Sequence, residues 1–578
     1  MAGPRERTRR RGAGSINSIS STSKVLLGSV SLFSIWYLLY SHVLVTRDER
    51  TGSTLVPRDD KSREISSDKV PYDEDPRVKL ARPQKYGDPA MGPMDYIPLQ
   101  CQGGAPAVDL SYWKSIPQDK TYESPWGARA RRAKAEGMPQ YVTFEPDHGG
   151  FNNIRMAMET VLVFARETGR TLVMPAPQKF YLLNRPAVEF SDMFPTEYMS
   201  DYMDIISMKE FLEKEGLTGR LGKRPPGNKS TGHERSILDA YLREVADFVP
   251  HWYHTEQALV FGPSPENPTV PTDDETQAWL RWFLTDRRRE LGYSQEMQQA
   301  RHVHFRSSHG VGDREYRLFT HFYTFIGFSD PAAARHHRRL VRDLVHFREP
   351  LFCAAAEIVG RLRAAGDGDP GRWSGYYGEW GGLGEGEWGL TLGGGGQVAG
   401  IGGGGYEGGR AGVRYKAGFS TFHIRRGDFQ YEKMKPPAST ILAATEDLIR
   451  PGEVLYIATD ERDKSFFGVF TENHKVFFLD DFKDVLVGID PSYYLMIDTI
   501  VASQGRTFIG TWRSTFTGYI TRLRGYYRFP TEFSWYFWRE SERKYIPTTL
   551  AADTTPRPPF FMREWPVAWE DLDQDVWS

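Results

Sequence analysis

Two adjacent arginines, Arg425 and Arg426, end the apolar run Phe419-Ser-Thr-Phe-His-Ile424 and lead into Gly427, Asp428 and Phe429. The pattern predicts a strand feeding a polar loop. Side chains alternate faces along a strand, so His423 and Arg425 project to one side and Phe422 and Ile424 to the other. An arginine at a strand end suits an anion, above all a phosphate, because its planar fork of donors matches phosphate oxygens and cannot lose its charge. The plainer alternative is a surface ion pair, Arg425 or Arg426 with Asp428. A cell-adhesion tripeptide, Arg426-Gly427-Asp428, is disfavoured because it abuts a core strand.

Two further stretches have anion chemistry. Asp147, His148, Gly149, Gly150, Phe151 and Asn152 form a glycine loop ahead of a helical stretch that runs to about Thr168. Glycines allow close backbone approach, and the amides of the following helix start favour anions. A tight turn capped by Asn152 or Asn153 explains the same residues without a ligand. Ser514, Thr515 and Phe516 open a second helix, to about Arg524, with hydroxyls and free amides at its start. Carboxylates join them: Asp460 ends the buried strand from Glu453, and Asp498 shares a helix face with Tyr494 and Val501 after a cap at Asp490.

The elements that position these groups alternate. Tyr141–Glu145, the glycine loop, a helix and Thr171–Met174 make a βαβ unit, in which Ile154, Met158, Val161, Leu162 and Ala165 form the apolar stripe and Arg155 pairs with Glu159 on the outside. Strands at 453–460, 475–479 and 507–511 follow the opening strand of the second unit. The fold class is therefore α/β, with two domains and a cleft between them. Arg335 to Arg363 reads as a helix with a solvated basic side. A surface loop is expected around Gly216 to Thr231.

The remaining segments set boundaries. Residues 1–24 are a basic tail, 25–45 an apolar span, 46–99 a flexible stem, 100–364 the first domain, 365–412 a glycine-rich disordered insertion, 413–545 the second domain and 546–578 a tail. A span of this length can cross a bilayer, which takes roughly 20 residues, and its arginine-rich flank predicts a type II orientation with the body lumenal, in the Golgi or endoplasmic reticulum. The insertion contains Gly384-Glu-Gly-Glu-Trp-Gly389, a dinucleotide-like pattern with no strand before it or helix after it. A net charge of −2 gives no case for nucleic acid. The two cysteines, Cys101 and Cys353, leave a single bridge open and have no neighbours at metal-ligand spacing. Asn228-Lys-Ser230 fits a glycosylation sequon.

Taken together, His148-Gly-Gly-Phe-Asn152, His423-Ile-Arg-Arg-Gly-Asp-Phe429, Tyr456-Ile-Ala-Thr-Asp460, and Asp498 ahead of Ser514-Thr-Phe516 resemble the GDP-fucose protein O-fucosyltransferase family, over roughly residues 140 to 530. The resemblance implies a GT-B fold, two facing Rossmann-like domains, and inverting transfer of fucose from GDP-fucose to a protein or glycan without a metal. It implies that His423 and Asp498 contact the guanine and that Arg425 holds the β-phosphate. Ser514, Thr515 and Phe516 would complete the phosphate cradle. Gly149, Gly150 and Asn152 would lie against the sugar phosphate, with Phe151, Asp428 and Asp460 completing the donor site.

In some members a glutamate just before the Gly-Phe-Asn serves as base, and here that position is Gly149. Asp147 and His148 are the neighbouring candidates. Asp-x-Asp triplets, which often hold a metal in such enzymes, start at Asp73, Asp367, Asp571 and Asp573, in the stem, insertion and tail. The competing readings are a transferase for another GDP sugar and a non-catalytic lumenal binder of glycans or proteins.

Overall fold

A computed structural model describes residues 96–573 except 103, 107, 181–182, 184, 186, 227–233, 253–255, 285–287, 308–320, 367–417, 430, 432–433, 538–542, 546–563, 565 and 571. The apolar span 25–45, the sequon at Asn228 and nearly all of the glycine-rich stretch lie outside the described residues. Among the described residues no helix is long and apolar enough to cross a membrane.

The first half opens with β1 (Tyr141–Phe144), helix α1 (Phe151–Thr168), β2 (Thr171–Met174) and β3 (Ile205–Ser207). It continues with β4 (Gln257–Phe261), β5 (Arg289–Gly292), β6 (His302–Phe305), β7 (Ile326–Phe328), α2 (Pro331–Leu344) and α3 (Glu349–Gly366). Its strands form two parallel sheets, ordered β3-β2-β1-β6 and β5-β4-β7. The second half contains β8 (Phe419–Ile424), β9 (Val454–Thr459), β10 (Val476–Phe477), α4 (Tyr494–Ala502), β11 (Phe508–Thr511), α5 (Thr515–Tyr526), β12 (Ser534–Phe537) and β13 (Arg543–Tyr545). They build one sheet, β10-β9-β8-β11-β12-β13, parallel except for β13. The fold is mixed α/β with parallel sheets.

Both principal sheets reverse direction of growth at their centre. From β1 the chain proceeds to β2 and β3 on one side, with β6 on the other; from β8 it proceeds to β9 and β10, with β11 on the other side. Such a reversal opens a crevice beyond the strand ends, because the connecting helices leave on opposite faces. The glycine loop follows β1 and the arginine pair follows β8, so each stands at a switch point.

A single apolar core runs through both halves, joining Ile154 and Phe194 to Met496, Tyr519 and Trp569. Phe422 and Ile424 enter a second cluster on the opposite face of β8, as the period-two pattern predicts. Residues 96–99, at the end of the expected stem, are packed: Ile97 N–H donates to Trp113 C=O at 3.2 Å, and Leu99 is buried. Tyr112 stacks on Tyr526 with centroids 4.9 Å apart. Cys101 and Cys353 are bridged, tying this segment to α3.

Several expectations are corrected. Arg155 and Glu159 do pair, but α1 is covered on nearly all sides and both are wholly buried. The basic stretch from Arg335 is two helices, and its apparent solvated side is inside: Arg339 binds Asp119, Arg342 binds Asp343 and Asp573, and His337 binds Glu167. Buried arginines persist there because each meets a carboxylate at close range. The helix α1 is capped by Gly150, not by an asparagine side chain. In the tail, Asp573 is buried against Lys114 at 2.6 Å, and Trp569 enters the core.

Candidate active site

The end of β8 is fixed by a threonine. The Thr511 hydroxyl, at the end of β11, donates to His423 C=O at 3.0 Å and accepts the Arg425 N–H at 2.9 Å. His423 and Arg425 thus leave the sheet on one face at the β8/β11 switch point.

Arg425, not Arg426, pairs with Asp428, and its Nη1 lies 2.8 Å from Asp460. Both carboxylates restrain the guanidinium, which is half-buried beyond the end of β8. Arg426 turns the other way. Its Nε donates to Glu461 at 2.9 Å, its guanidinium lies 3.9 Å over Phe466, and its N–H donates to Asp460 Oδ1 at 2.7 Å. Gly427 is required where Asp460 tucks under the loop, since a Cβ there would sit 2.6 Å from Asp460 Oδ2.

His423 is buried, and its pKa is pushed down to about 3 by burial, with the charge of Arg425 adding to the effect. Its imidazole is therefore neutral at physiological pH. Nδ1 shares a 2.6 Å hydrogen bond with the Thr517 hydroxyl, and the ring lies 4.5 Å from that of Phe516. Thr421, on the same strand face, donates to Ala502 C=O at 2.6 Å, so α4 covers the face that carries His423. On α4, Asp498 accepts the Tyr456 hydroxyl at 2.5 Å. Burial pushes the Asp498 carboxyl up to about 7, against the opposing pull of that hydroxyl.

The second cradle forms where α1 and α5 begin. Ser514 is the N-cap of α5 and is buried, following Arg513 in a left-handed conformation at φ 64°. The Thr515 hydroxyl donates to Asn153 Oδ1 at 3.1 Å, so the two helix starts meet. Each presents backbone N–H groups without intrahelical partners, and two such ends together favour a negative charge between them.

In the glycine loop, Asp147 is buried and its Oδ1 accepts the Gly149 N–H at 2.6 Å. His148, Gly149 and Gly150 are half-buried, while Phe151 and Asn152 are buried. A Cβ on Gly149 would meet Asn153 Nδ2 at 2.0 Å and Asp147 Oδ1 at 2.8 Å, so the asparagine amide fills the space a larger residue would need. At Gly150 the same Cβ meets nothing within 4 Å, so that position is open.

The structure thus gathers the expected residues into four small groups: Arg425 with Asp428 and Asp460, His423 with Phe516, Asp498 with Tyr456, and the glycine loop with Thr515 through Asn153. Thr511 and Thr517, which were not singled out by sequence, complete these contacts together with Asn153, which sequence offered only as a helix cap. Their only signal was position, at a strand end and within the first turns of α5 and α1. Among the described residues no group of three or more His, Cys, Asp or Glu side chains is arranged to hold a metal ion.

Parallel sheets reversing at their centres, with arginine and two helix starts at the reversals, make an arrangement suited to an anionic ligand. The family model for GDP-fucose protein O-fucosyltransferases matches residues 141–527, more than half of the chain, and the chain belongs to that family. No curated protein matches it. Similar solved structures include POFUT1 in complex with GDP-fucose, at 12% identity and a TM-score of 0.28, covering 67% of this chain and 94% of the other. NodZ α-1,6-fucosyltransferase soaked with GDP-fucose is 14% identical with a TM-score of 0.32, covering 71% and 99%. Fucosyltransferase NodZ from Bradyrhizobium is 13% identical with a TM-score of 0.32 over the same shares.

Proposed function

We propose that the protein is an inverting fucosyltransferase of GT-B architecture that uses GDP-fucose, needs no metal, and modifies a protein or glycan hydroxyl in the secretory pathway. The observation that carries the reading is the family model's span, 141–527, which takes in the loops at both switch points. The Cys101–Cys353 bridge suits an oxidising compartment. Anchoring through residues 25–45 with a lumenal body follows from the sequence pattern alone.

In this reading Asp498 and the neutral His423 take the guanine. Breaking the bond from sugar to phosphate leaves added negative charge on the departing GDP. Arg425 and the starts of α1 and α5 are preorganised for that charge, so they stabilise the transition state more than the ground state. Gly149, Gly150 and Asn152 lie against the sugar phosphate. Asp147 has one oxygen taken by the Gly149 N–H, which leaves it to hold the loop. His148, the more exposed of the two base candidates, then receives the acceptor's proton.

A second reading, a binding protein without catalysis, is favoured by Gly149, where Asn153 fills the room a glutamate would take. A thermal-shift panel of GDP, UDP and CMP on the full chain, followed by product analysis with GDP-fucose, separates them. At 100 times its dissociation constant GDP stabilises the native state by about 2.7 kcal/mol. Stabilisation by UDP and not GDP overturns the donor assignment, and tight GDP binding with no transfer to any hydroxyl leaves the binding protein.

A further inference from the structure

The pair Arg155–Glu159 is the first link of a longer buried chain of charges. Arg522 of α5 donates to both oxygens of Glu159, at 2.9 and 2.8 Å, and its Nε donates to Glu564 Oε1 at 2.7 Å. All four side chains are 0% exposed. Their signs alternate and cancel, which is the condition for charges to persist in an interior. Glu564 is held further by the Tyr323 hydroxyl at 2.6 Å and Trp569 Nε1 at 2.9 Å. Arg522 Nη2 lies 3.0 Å from His321 Nδ1, on a ring kept neutral by burial and by the charge of Arg522.

The near end of this chain reaches the site. Arg155 lies 3.6 Å over the Tyr519 ring, and its Nε donates to Asn152 Oδ1 at 3.1 Å. An arginine carries only donors, so the amide must turn its oxygen to Arg155 and its NH2, with two donor hydrogens, the other way. Asn152 is in the first turn of α1, beside the unpaired helix-start amides.

We infer that Arg155 is the positioning residue that turns the Asn152 amide so that its NH2 faces the donor's sugar phosphate, with Glu159, Arg522 and Glu564 holding Arg155 from behind. The inference rests on the GDP-fucose reading above. Glu564 lies beyond residues 141–527, so the segment 564–573 belongs to the catalytic unit although the family model stops short of it.

The test is a double-mutant cycle on the full chain, with GDP binding, turnover of GDP-fucose and melting all measured. Arg155→Lys keeps a cation for Glu159 and loses the donor to Asn152. Small displacements in a reacting site cost up to about 10²-fold. Arg155→Lys and Asn152→Ala are each expected to lower kcat by roughly 10- to 100-fold, and the double variant by no more than the worse single one. GDP affinity in Arg155→Lys should stay within about threefold, a split that general loosening of the fold would not produce.

Should Arg155→Lys not melt cooperatively, Glu564→Gln serves instead: its oxygen keeps the acceptor for Arg522, while the charge and the acceptor for Tyr323 and Trp569 are lost. It too should lower kcat without adding to Asn152→Ala. Unchanged turnover in a folded variant, or losses that multiply in the double variant, overturn the inference while leaving the donor reading in place. A wild-type chain that neither binds GDP nor transfers fucose overturns both.

Discussion

The Thr515 hydroxyl donates to Asn153 Oδ1 at 3.1 Å, joining the first turns of two helices that lie 362 positions apart in sequence. Because each turn carries unpaired amides, this bond fixes the distance between two positive helix ends. Thr515→Val keeps the shape and removes the donor. It should lower stability by about 0.5–1.5 kcal/mol. GDP affinity should fall roughly tenfold, an amount equal to about 1.4 kcal/mol. Calorimetric titration with GDP beside a melting curve checks both, and unaltered affinity would mean that the ends do not act together.

Arg425 and Arg426 should separate cleanly. Arg425 faces the crevice with His423, so Arg425→Ala should cost turnover roughly 10² to 10³, or about 2.7–4 kcal/mol. Lysine should restore little, because a point charge does not reproduce a two-pronged contact. Arg426 is bound to Glu461 and covers Phe466, so Arg426→Ala should lower the melting temperature and change turnover only a few-fold. Initial rates at saturating GDP-fucose with all three variants decide it.

Asp498 gives donor binding a pH dependence. Guanine offers N–H groups that need an ionised acceptor, and burial pushes this carboxyl up to about 7. GDP affinity should therefore fall roughly fivefold from pH 7 to pH 6 and about tenfold for each unit below that. The stability effect has the opposite sense. The folded value lies above the unfolded one, so Asp498 destabilises the fold progressively as pH rises from about 4 to about 7. Asp498→Asn should abolish tight GDP binding, raise the melting temperature at pH 8 and leave it unchanged at pH 4.

The glycine-rich stretch should be dispensable. Gly366 at the end of α3 and Gly418 ahead of β8 are in contact, since a Cβ on Gly366 would sit 2.0 Å from the Gly418 carbonyl oxygen. The chain leaves and re-enters the body at one point, and loop length there costs only about 0.6 kcal/mol per doubling. Replacing residues 367–417 with a short glycine-serine linker should leave GDP binding and turnover within about twofold. A large loss would give Trp373, Trp380 or Trp388 a role in the site.

What sequence revealed follows from what periodicity encodes. The face of His423 and Arg425, the βαβ unit, the cap at Asp490 and the start of α5 at Ser514 are local patterns, and all stand as read. Periodicity says which residues share a helix face and nothing about what covers the other faces. Arg155 and Glu159, four apart, therefore read as a surface pair, and the basic residues after Arg335 as a solvated side. Their partners, Arg522 for Glu159 and Asp573 for Arg342, are hundreds of positions away. The choice of Asp428 by Arg425 depended on which way each guanidinium left the strand. No pattern at the level of residue type distinguishes the two.

The segment 564–573 also bears on how the protein comes to be made. On a ribosome, Arg522 and Glu159 emerge before Glu564, and Lys114 and Arg342 before Asp573. Until those last acids arrive, the nascent chain has an excess of interior cations and an unfilled place for Trp569. At roughly 5–20 residues per second the wait from residue 527 to residue 573 is about 2–9 s. The two halves can acquire their secondary structure in that time, but Arg522 lacks Glu564, and Lys114 and Arg342 lack Asp573, until synthesis has passed residue 573.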